Sequence, residues 1–119
     1  MKTNLTINLT SGLRFLGGSK PEYIAPDSII FLESEVNYTV FYLTDGRKLL
    51  SSRNLQVHES RLCNDPNFFR IHRSIIINMK HIEKIKLEKL SGFVYLQTGK
   101  ELLISRRRIK NFQERFNQI

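Results

Sequence analysis

The stretch FFRIHRSIIIN, residues 68–78, combines side chains that suit the recognition of nucleic-acid phosphates and bases. Its apolar positions alternate along the run and are expected to face a core, which leaves the polar positions for another surface: Arg70, His72, Arg73, Ser74 and Asn78. An arginine fork reads guanine edges or phosphates, asparagine reads adenine, and serine and histidine donate to phosphate oxygens. The alternative is a solvated strand edge that its charges protect from pairing with other strands.

A second basic cluster, Arg106–Arg108, follows Ser105 near the C-terminus. Ser105 is a suitable N-cap for a final helix, and three arginines in the first turn of a helix oppose its macrodipole. A bound phosphate removes this conflict. At about 100° per residue, Arg107 points away from the apolar stripe of that helix, whereas its two neighbours flank the stripe. The alternative is a solvated basic face. The stripe consists of Ile109, Phe112 and Phe116.

Patterns for catalysis and metal binding are weak. The three histidines, His58, His72 and His81, and the single cysteine, Cys63, show no metal-ligand spacing. The sequence contains no glycine-rich phosphate loop of the Walker or dinucleotide type. His72 lies two residues before Ser74 on the same strand, and such a pair is not a catalytic triad. We therefore expect no enzyme, no cofactor and no metal site.

The net charge of +8 is concentrated in the second part of the chain. Residues 1–69 carry seven Lys and Arg against seven Asp and Glu, whereas residues 70–119 carry twelve against four. Such asymmetry is typical of a polyanion-binding surface, because neutralised phosphates release their counterions and this release drives binding. An ordinary solvated basic surface is the open alternative.

Length and composition predict one domain in a reducing compartment. A chain of 119 residues, 40% of them hydrophobic, buries a sufficient core without disulfides or metals. The lone cysteine cannot form an internal bridge, no apolar run is long enough to cross a membrane, and the N-terminus has no apolar signal core. We therefore expect a cytoplasmic protein that makes no membrane contact.

The residue pattern predicts a mainly β fold of small antiparallel sheets with hairpins, one short helix in mid-chain and one at the C-terminus. Asp45-Gly46 and Thr98-Gly99 are typical of tight hairpin turns between strands of β-branched and aromatic residues. Residues 1–18 are interpreted as an N-terminal extension, with a short strand around Leu13–Leu16, ahead of one domain over residues 19–119. The strands of that domain are expected at 29–32, 38–43, 48–51, 68–72, 75–78, 82–87, 93–97 and 100–104.

The mid-chain helix is predicted from about Ser52 to Leu62. Leu55, His58 and Leu62 share one face at helical spacing, which makes His58 a packed core residue. Ser52 or Asn54 is the expected N-cap.

In combination, these motifs resemble the LytTR DNA-binding domain, the output domain of LytR/AlgR-type response regulators. The resemblance runs in the family's order from about Lys20 to Phe116, and the FRxHRS…N block followed by a late Ser-Arg pair is highly specific. It implies a bacterial transcription regulator built of small antiparallel sheets rather than a recognition helix. The matching segments are IFLESEVNYTV (30–40), the Asp45-Gly46 hairpin, the Leu55–Leu62 helix, residues 68–78, Ile82, Ile85 and ISRR (104–107).

The resemblance also implies a mode of DNA binding, in which loops after successive strands enter the major groove and neighbouring contacts follow the backbone. The positions that match the family's groove-reading residues are Asn37, Tyr38, His72, Arg73 and Arg107. The phosphate-facing candidates are Arg53, Ser74, Lys80, Arg106 and Arg108.

The partner predicted from the resemblance is double-stranded DNA with repeated half-sites, bound by a homodimer, because pairing of small modules raises affinity and specificity. Family members are commonly joined to a receiver domain or a membrane segment, and only some twenty residues precede the domain here. The chain is therefore either a stand-alone regulator or a fragment, and its control by a receiver or sensor partner stays open. The rival function is a basic protein-interaction module that binds an acidic partner. An RNA-binding role is less favoured, because the sequence has no paired aromatic stacking motif.

Overall fold

The computed structural model describes residues 4–8, 12–17, 20–62 and 64–118, with side chains from residue 24 onward. Within these ranges the chain forms eleven strands and two α-helices. The strands are β1 (Asn4–Asn8), β2 (Gly12–Gly17), β3 (Lys20–Ile24), β4 (Ile29–Glu35), β5 (Tyr38–Leu43), β6 (Lys48–Ser51), β7 (Phe68–His72), β8 (Ile75–Asn78), β9 (Ile82–Leu87), β10 (Gly92–Leu96) and β11 (Glu101–Ile104). The helices are α1 (Leu55–Leu62) and α2 (Ile109–Asn117), and 3-10 turns form at Pro26–Ser28, Met79–His81 and Arg106–Arg108.

A five-stranded antiparallel sheet in the order β6-β5-β4-β8-β7 forms the centre of the molecule. The β5–β6 hairpin turns at Gly46, whose φ is +89°, and Asp45 Oδ1 accepts the Arg47 N–H at 2.9 Å. The hairpin predicted from Asp45-Gly46 is therefore confirmed. It forms because glycine adopts positive φ without steric cost.

A second sheet has the order β11-β10-β9 and is also antiparallel. Its β10–β11 hairpin turns at Gly99, with φ +90°, as the Thr98-Gly99 pair predicts. The two sheets meet at their edges, where the Ser105 N–H donates to the Ile71 carbonyl at 2.8 Å. The β7–β8 register shifts between Arg70 and His72, so the strand bulges at Ile71 next to this contact.

The hydrophobic core occupies both faces of the five-stranded sheet. On one face Leu32, Phe41 and Ile76 pack against α1, which buries Leu55 and Leu62. The opposite face packs against the β9–β11 sheet and α2, whose Phe112 is completely buried. Burial of each such side chain contributes about 1.5–3 kcal/mol, so the sheet is held rigidly from both sides.

The first three strands form a separate antiparallel sheet in the order β1-β2-β3. Its third strand begins at Lys20 and pairs with β2, so strands on both sides of the expected boundary after residue 18 share one sheet. The predicted short strand around Leu13–Leu16 lies within β2.

Both helices begin later than the sequence indicates. The mid-chain helix starts at Leu55, and Asn54 caps it because its Oδ1 accepts the Val57 N–H at 3.0 Å. The prediction that Ser105 caps the final helix is wrong. The Ser105 hydroxyl is buried and accepts no N–H from the described residues, and Arg106–Arg108 form a 3-10 turn between Ser105 and α2. Neither helix, nor any other in the described ranges, is long and apolar enough to cross a membrane.

Candidate nucleic-acid interface

Strand polarity brings six of the ten predicted contact residues to one end of the five-stranded sheet. Because its neighbouring strands are all antiparallel, β4, β6 and β7 finish at the end where β5 and β8 begin. The connections at this end are Val36–Asn37, the segment after Ser51, and Arg73–Ser74. We call this end the loop surface, and its predicted contact residues are Asn37, Tyr38, Arg53, His72, Arg73 and Ser74.

The β4–β5 turn projects Asn37 into solvent and leaves Tyr38 40% exposed at the start of β5. Val36, at the tip, has φ +38° and is 94% exposed. Among the described residues it is the only one besides glycine with positive φ. A β-branched side chain is strained in this conformation, and such strain is concentrated at functional sites in proteins.

Beside this turn, a shallow groove of about 380 Å³ runs along the edge of β6. It is lined by Asn37, Tyr38, Leu50, Ser51 and Ser52. Arg53 follows the groove and is exposed, while its carbonyl accepts the hydroxyl of buried Thr39 at 2.8 Å. The backbone at Arg53 is thus held to β5 and its side chain is left at the surface.

The β7–β8 turn is organised by His72 and Ser74. The Ser74 N–H donates to His72 Nδ1 at 3.2 Å, and the Ser74 hydroxyl lies 2.9 Å from the same nitrogen. A neutral imidazole whose Nδ1 accepts carries its proton on Nε2, so His72 offers an N–H donor there. The Ser74 carbonyl accepts the Ser34 N–H at 2.9 Å, which fixes the turn against β4. Arg73 is exposed at the tip.

Arg70 supports the backbone of the β7–β8 turn. Its guanidinium pairs with Glu59 on α1 at 2.9 Å and donates to the carbonyls of His72 and Arg73. The expectation that Arg70 is a free polar residue, available to nucleic acid, does not include this role. Its partner Glu59 lies on another element, eleven positions away, and no local spacing relates the two residues.

The three arginines of the Arg106–Arg108 turn differ in their surroundings. Arg106 and Arg107 are exposed, and the Ser105–Ile71 hydrogen bond brings this turn beside the end of β7. Arg108 is half-buried, and burial, with Arg107 and Arg70 close by, lowers the pKa of its guanidinium. Arg107 is therefore exposed, as expected, although it lies in a 3-10 turn and not in the helix from which its direction was predicted, whereas Arg108 turns inward.

Lys80 is the predicted contact residue that lies apart. It follows β8, at the opposite end of the sheet, and its Nζ pairs with Asp27 at 3.0 Å. The seven residues of β4 separate the two ends by about 20 Å. The structure therefore does not bring Lys80 together with the other nine residues.

Asn78 also lies at that opposite end, and the expectation that its side chain is available to bases is wrong. It is 1% exposed, and its amide donates to the Ile29 carbonyl at 3.0 Å and to the Pro26 carbonyl at 3.3 Å. Its Oδ1 accepts the Lys80 N–H at 3.1 Å. Asn78 joins elements within the protein.

Comparisons with known proteins agree on one kind of domain. The sequence profile of the LytTr DNA-binding domain matches residues 19–117. The transcriptional regulatory protein BtsR of Salmonella typhi and that of Salmonella typhimurium are each 26% identical to the chain over 99 residues, which is 82% of this chain and 40% of each relative. The chain thus spans less than half the length of these relatives.

A solved LytTr DNA-binding domain from Bacillus cereus has the same fold. It matches with a TM-score of 0.70 at 19% sequence identity, over 97% of this chain and 96% of that one. The predicted fold class, mainly β with small antiparallel sheets and two short helices, is confirmed.

Proposed function

Because this chain belongs to the LytTR DNA-binding domain family, we propose that it binds double-stranded DNA sequence-specifically as the output module of a bacterial transcription regulator. The observation that supports the proposal is the loop surface. One rigid sheet end presents two tight turns and the segment after β6, each with exposed polar side chains, and the exposed Arg106 and Arg107 adjoin it.

The spacing of the two turns suits the major groove. The centre of the β4–β5 turn and the centre of the β7–β8 turn are two strand positions apart in the sheet, or about 10 Å. The major groove of B-DNA is about 12 Å wide, and base pairs are about 3.4 Å apart along it. We propose that Asn37 and Tyr38 from one turn, and His72 and Arg73 from the other, reach base edges about three steps apart.

The remaining candidates divide between base reading and backbone contact. Arg107 supplies an exposed planar fork for a guanine edge, which a bidentate pair discriminates by about 1–3 kcal/mol. Arg53, Ser74 and Arg106 surround these positions and are proposed to contact phosphates, which orient the module on the duplex. Lys80 lies outside this footprint.

Two copies are proposed to bind repeated half-sites. One module of this size buries a limited interface, so a second copy on the same duplex raises both affinity and specificity. Control by a receiver or sensor partner remains a prediction from the family resemblance.

Selection of bound duplexes from a random pool, at two salt concentrations, tests the proposal. We expect an enriched motif with a repeat, because base contacts select sequence whereas phosphate contacts alone do not. Recovery of duplexes without an enriched motif refutes sequence-specific recognition. Weak binding at both salt concentrations, together with a stable complex with an acidic protein, supports the rival interaction module.

A further inference from the structure

A cleft of about 240 Å³ opens between α1, β7 and the start of α2. Its floor is apolar and consists of the buried side chains Leu62, Phe68 and Ile76. An apolar cavity of about 150 Å³ already holds a benzene molecule, so the cleft has room for a small ring with a short substituent.

The rim of the cleft is polar and carries excess positive charge. It contains three arginines, Arg70, Arg108 and Arg115, one carboxylate, Glu59, and the amide of Asn111. Glu59 is already paired with Arg70 at 2.9 Å. Arg115 donates to the Pro66 carbonyl at 3.2 Å and lies 5.6 Å from the centre of the Phe69 ring. Three guanidiniums and one carboxylate leave the rim with a net charge of +2.

Arg108 is the least compensated of the three. Its Nε is buried and has no hydrogen-bond partner in the described part of the chain. A buried donor without a partner is unfavourable, and a buried charge needs a counter-charge. Because Arg108 lines the cleft, an anion bound there supplies the counter-charge, and a guanidinium binds a carboxylate through parallel N–H donors.

We propose that this cleft binds a small organic monocarboxylate with an apolar body, whose carboxylate pairs with Arg108 and whose ring or chain lies on the Leu62–Phe68–Ile76 floor. Asn111 also lines the cleft, and its amide is the proposed donor to the second carboxylate oxygen. A concave site that combines apolar side chains with a few convergent polar groups is the usual form of a small-molecule site.

The cleft is also linked to the proposed DNA contacts. Arg70 joins its rim to the carbonyls of His72 and Arg73, and Arg108 is adjacent to Arg107. A carboxylate here adds negative charge beside the DNA phosphates, so we expect it to weaken DNA binding. By linkage, DNA weakens carboxylate binding by the same factor. The expected coupling between carboxylate binding and DNA binding rests on the proposed function, whereas carboxylate binding itself does not.

Calorimetry and amide NMR on the full chain without DNA test the site, with 3-phenylpropionate as the probe. We expect a dissociation constant of the order of 1 mM, with shifts at Asn111 and along β7. The neutral isostere 3-phenylpropan-1-ol tests the charge and acetate tests the apolar floor, and both should bind at least tenfold more weakly. Equal affinity for the acid and the alcohol overturns the proposal in the unaltered protein, whatever a variant does to folding.

Arg108→Gln should reduce 3-phenylpropionate affinity at least tenfold. Arg106→Gln is the matched control, because it removes the same charge two residues away, outside the cleft, and should leave the affinity within twofold. Equal losses in the two variants overturn the site, since they show only a general electrostatic attraction.

The coupling between carboxylate binding and DNA binding is tested separately, by measuring duplex affinity with and without the carboxylate. Saturating 3-phenylpropionate should weaken binding of a selected duplex at least threefold in the unaltered protein, and not in Arg108→Gln. Unchanged duplex affinity overturns the coupling. If the selection yields no duplex, the proposed function is refuted, and the result of the carboxylate titration still stands on its own.

Discussion

Neighbouring arginines in the Arg106–Arg108 turn have different chemical surroundings, and we expect this difference to give them different roles. Arg107 is exposed, so its fork is available to a base edge, whereas Arg108 is half-buried beside Arg70 and Glu59. A 3-10 turn places successive side chains about 120° apart, so three adjacent arginines cannot all face one partner. Discrimination between DNA sequences is therefore expected to depend on Arg107.

Arg107→Ala should reduce discrimination between a selected duplex and its single-base variants by about 1–3 kcal/mol, because the bidentate fork is lost. Arg107→Lys is the matched variant, since it keeps the charge and loses the planar fork, and it should lose discrimination while retaining non-specific binding. Competition gel shifts measure both. Unchanged discrimination in Arg107→Ala contradicts the assignment.

His58 is a second residue whose surroundings determine its behaviour. It is fully buried, its Nε2 lies 2.8 Å from Ser51 Oγ, and its ring meets Phe41 edge-on at 4.9 Å. Burial, with Arg61 and Arg53 nearby, lowers the pKa of His58 to about 4. The imidazole in the folded protein therefore stays neutral at pH values where the unfolded chain is protonated.

The free energy of unfolding should fall as the pH drops from about 6.5 to about 4, by as much as about 3 kcal/mol from His58 alone. The sign follows because, in this window, the unfolded state binds a proton that the folded state does not, and above it both are neutral. Urea denaturation of the native sequence and of His58→Gln at pH 7.5 and 4.5 measures the contribution as the difference between their pH dependences. Parallel pH dependences of the two proteins refute the contribution of His58.

At the scale of elements, the turns of the five-stranded sheet fall into two kinds. Glycine at Gly46 adopts positive φ without cost, and the hairpin it forms lies at the end away from the loop surface. The β4–β5 turn instead has valine at φ +38°, at the tip of the loop surface. The strained turn is thus the one at the proposed binding end.

Val36→Asn should stabilise the protein by about 1 kcal/mol, because asparagine tolerates positive φ. Val36→Ala is the control, since it removes the same exposed isopropyl group but remains an ordinary L-residue at positive φ, and it should gain less. Thermal and urea denaturation compare the three proteins. An equal gain in both variants shows that exposure of the valine, and not its backbone, is the source.

Asn78 joins the end of β8 to the 3-10 turn before β4. Asn78→Ala should destabilise the protein by about 2 kcal/mol, because the Ile29 carbonyl loses its side-chain donor and the Lys80 N–H loses its acceptor. The exposed Asn64 is the control, and Asn64→Ala should change stability by less than about 0.5 kcal/mol. Urea denaturation measures both, and equal effects contradict the role given to Asn78.

At the scale of the whole molecule, the second-half charge does not gather on one surface. Arg73, Arg106 and Arg107 lie at or beside the loop surface, whereas Lys80 lies at the far end beside Asp27. The loop surface also includes the exposed carboxylate of Glu35 at the end of β4. We therefore expect any attraction of this surface for DNA to depend on these few arginines more than on the net charge of +8.

The salt dependence of duplex binding distinguishes the arginines at the loop surface from Lys80 at the opposite end of the sheet. Arg106→Ala should weaken binding to all duplexes and reduce the slope of log K against log salt by about 1, because one phosphate contact is lost. Lys80→Ala removes the same charge at the opposite end and should leave the slope unchanged. A reduced slope in Lys80→Ala places DNA on the far end and overturns the footprint.

Local features of the sequence determined the secondary structure. Asp45-Gly46 and Thr98-Gly99 predicted their hairpins, and the spacing of Leu55, His58 and Leu62 predicted the buried face of α1. Such features depend on residues that are near one another in the chain, where backbone geometry links spacing to direction. The family was also predicted from such local motifs.

Tertiary structure alone decided which of these residues lie together. The strand order β6-β5-β4-β8-β7 places the turn that carries Asn37 beside the turn that carries Arg73, at one end of the sheet. Contacts between distant segments buried Asn78 against Ile29, turned Arg108 towards α1 and made Arg70 a support for the β7–β8 turn. Side-chain alternation along one strand predicts which side of the strand each residue occupies. Only the pairing of the strands determines which residues pack against that side.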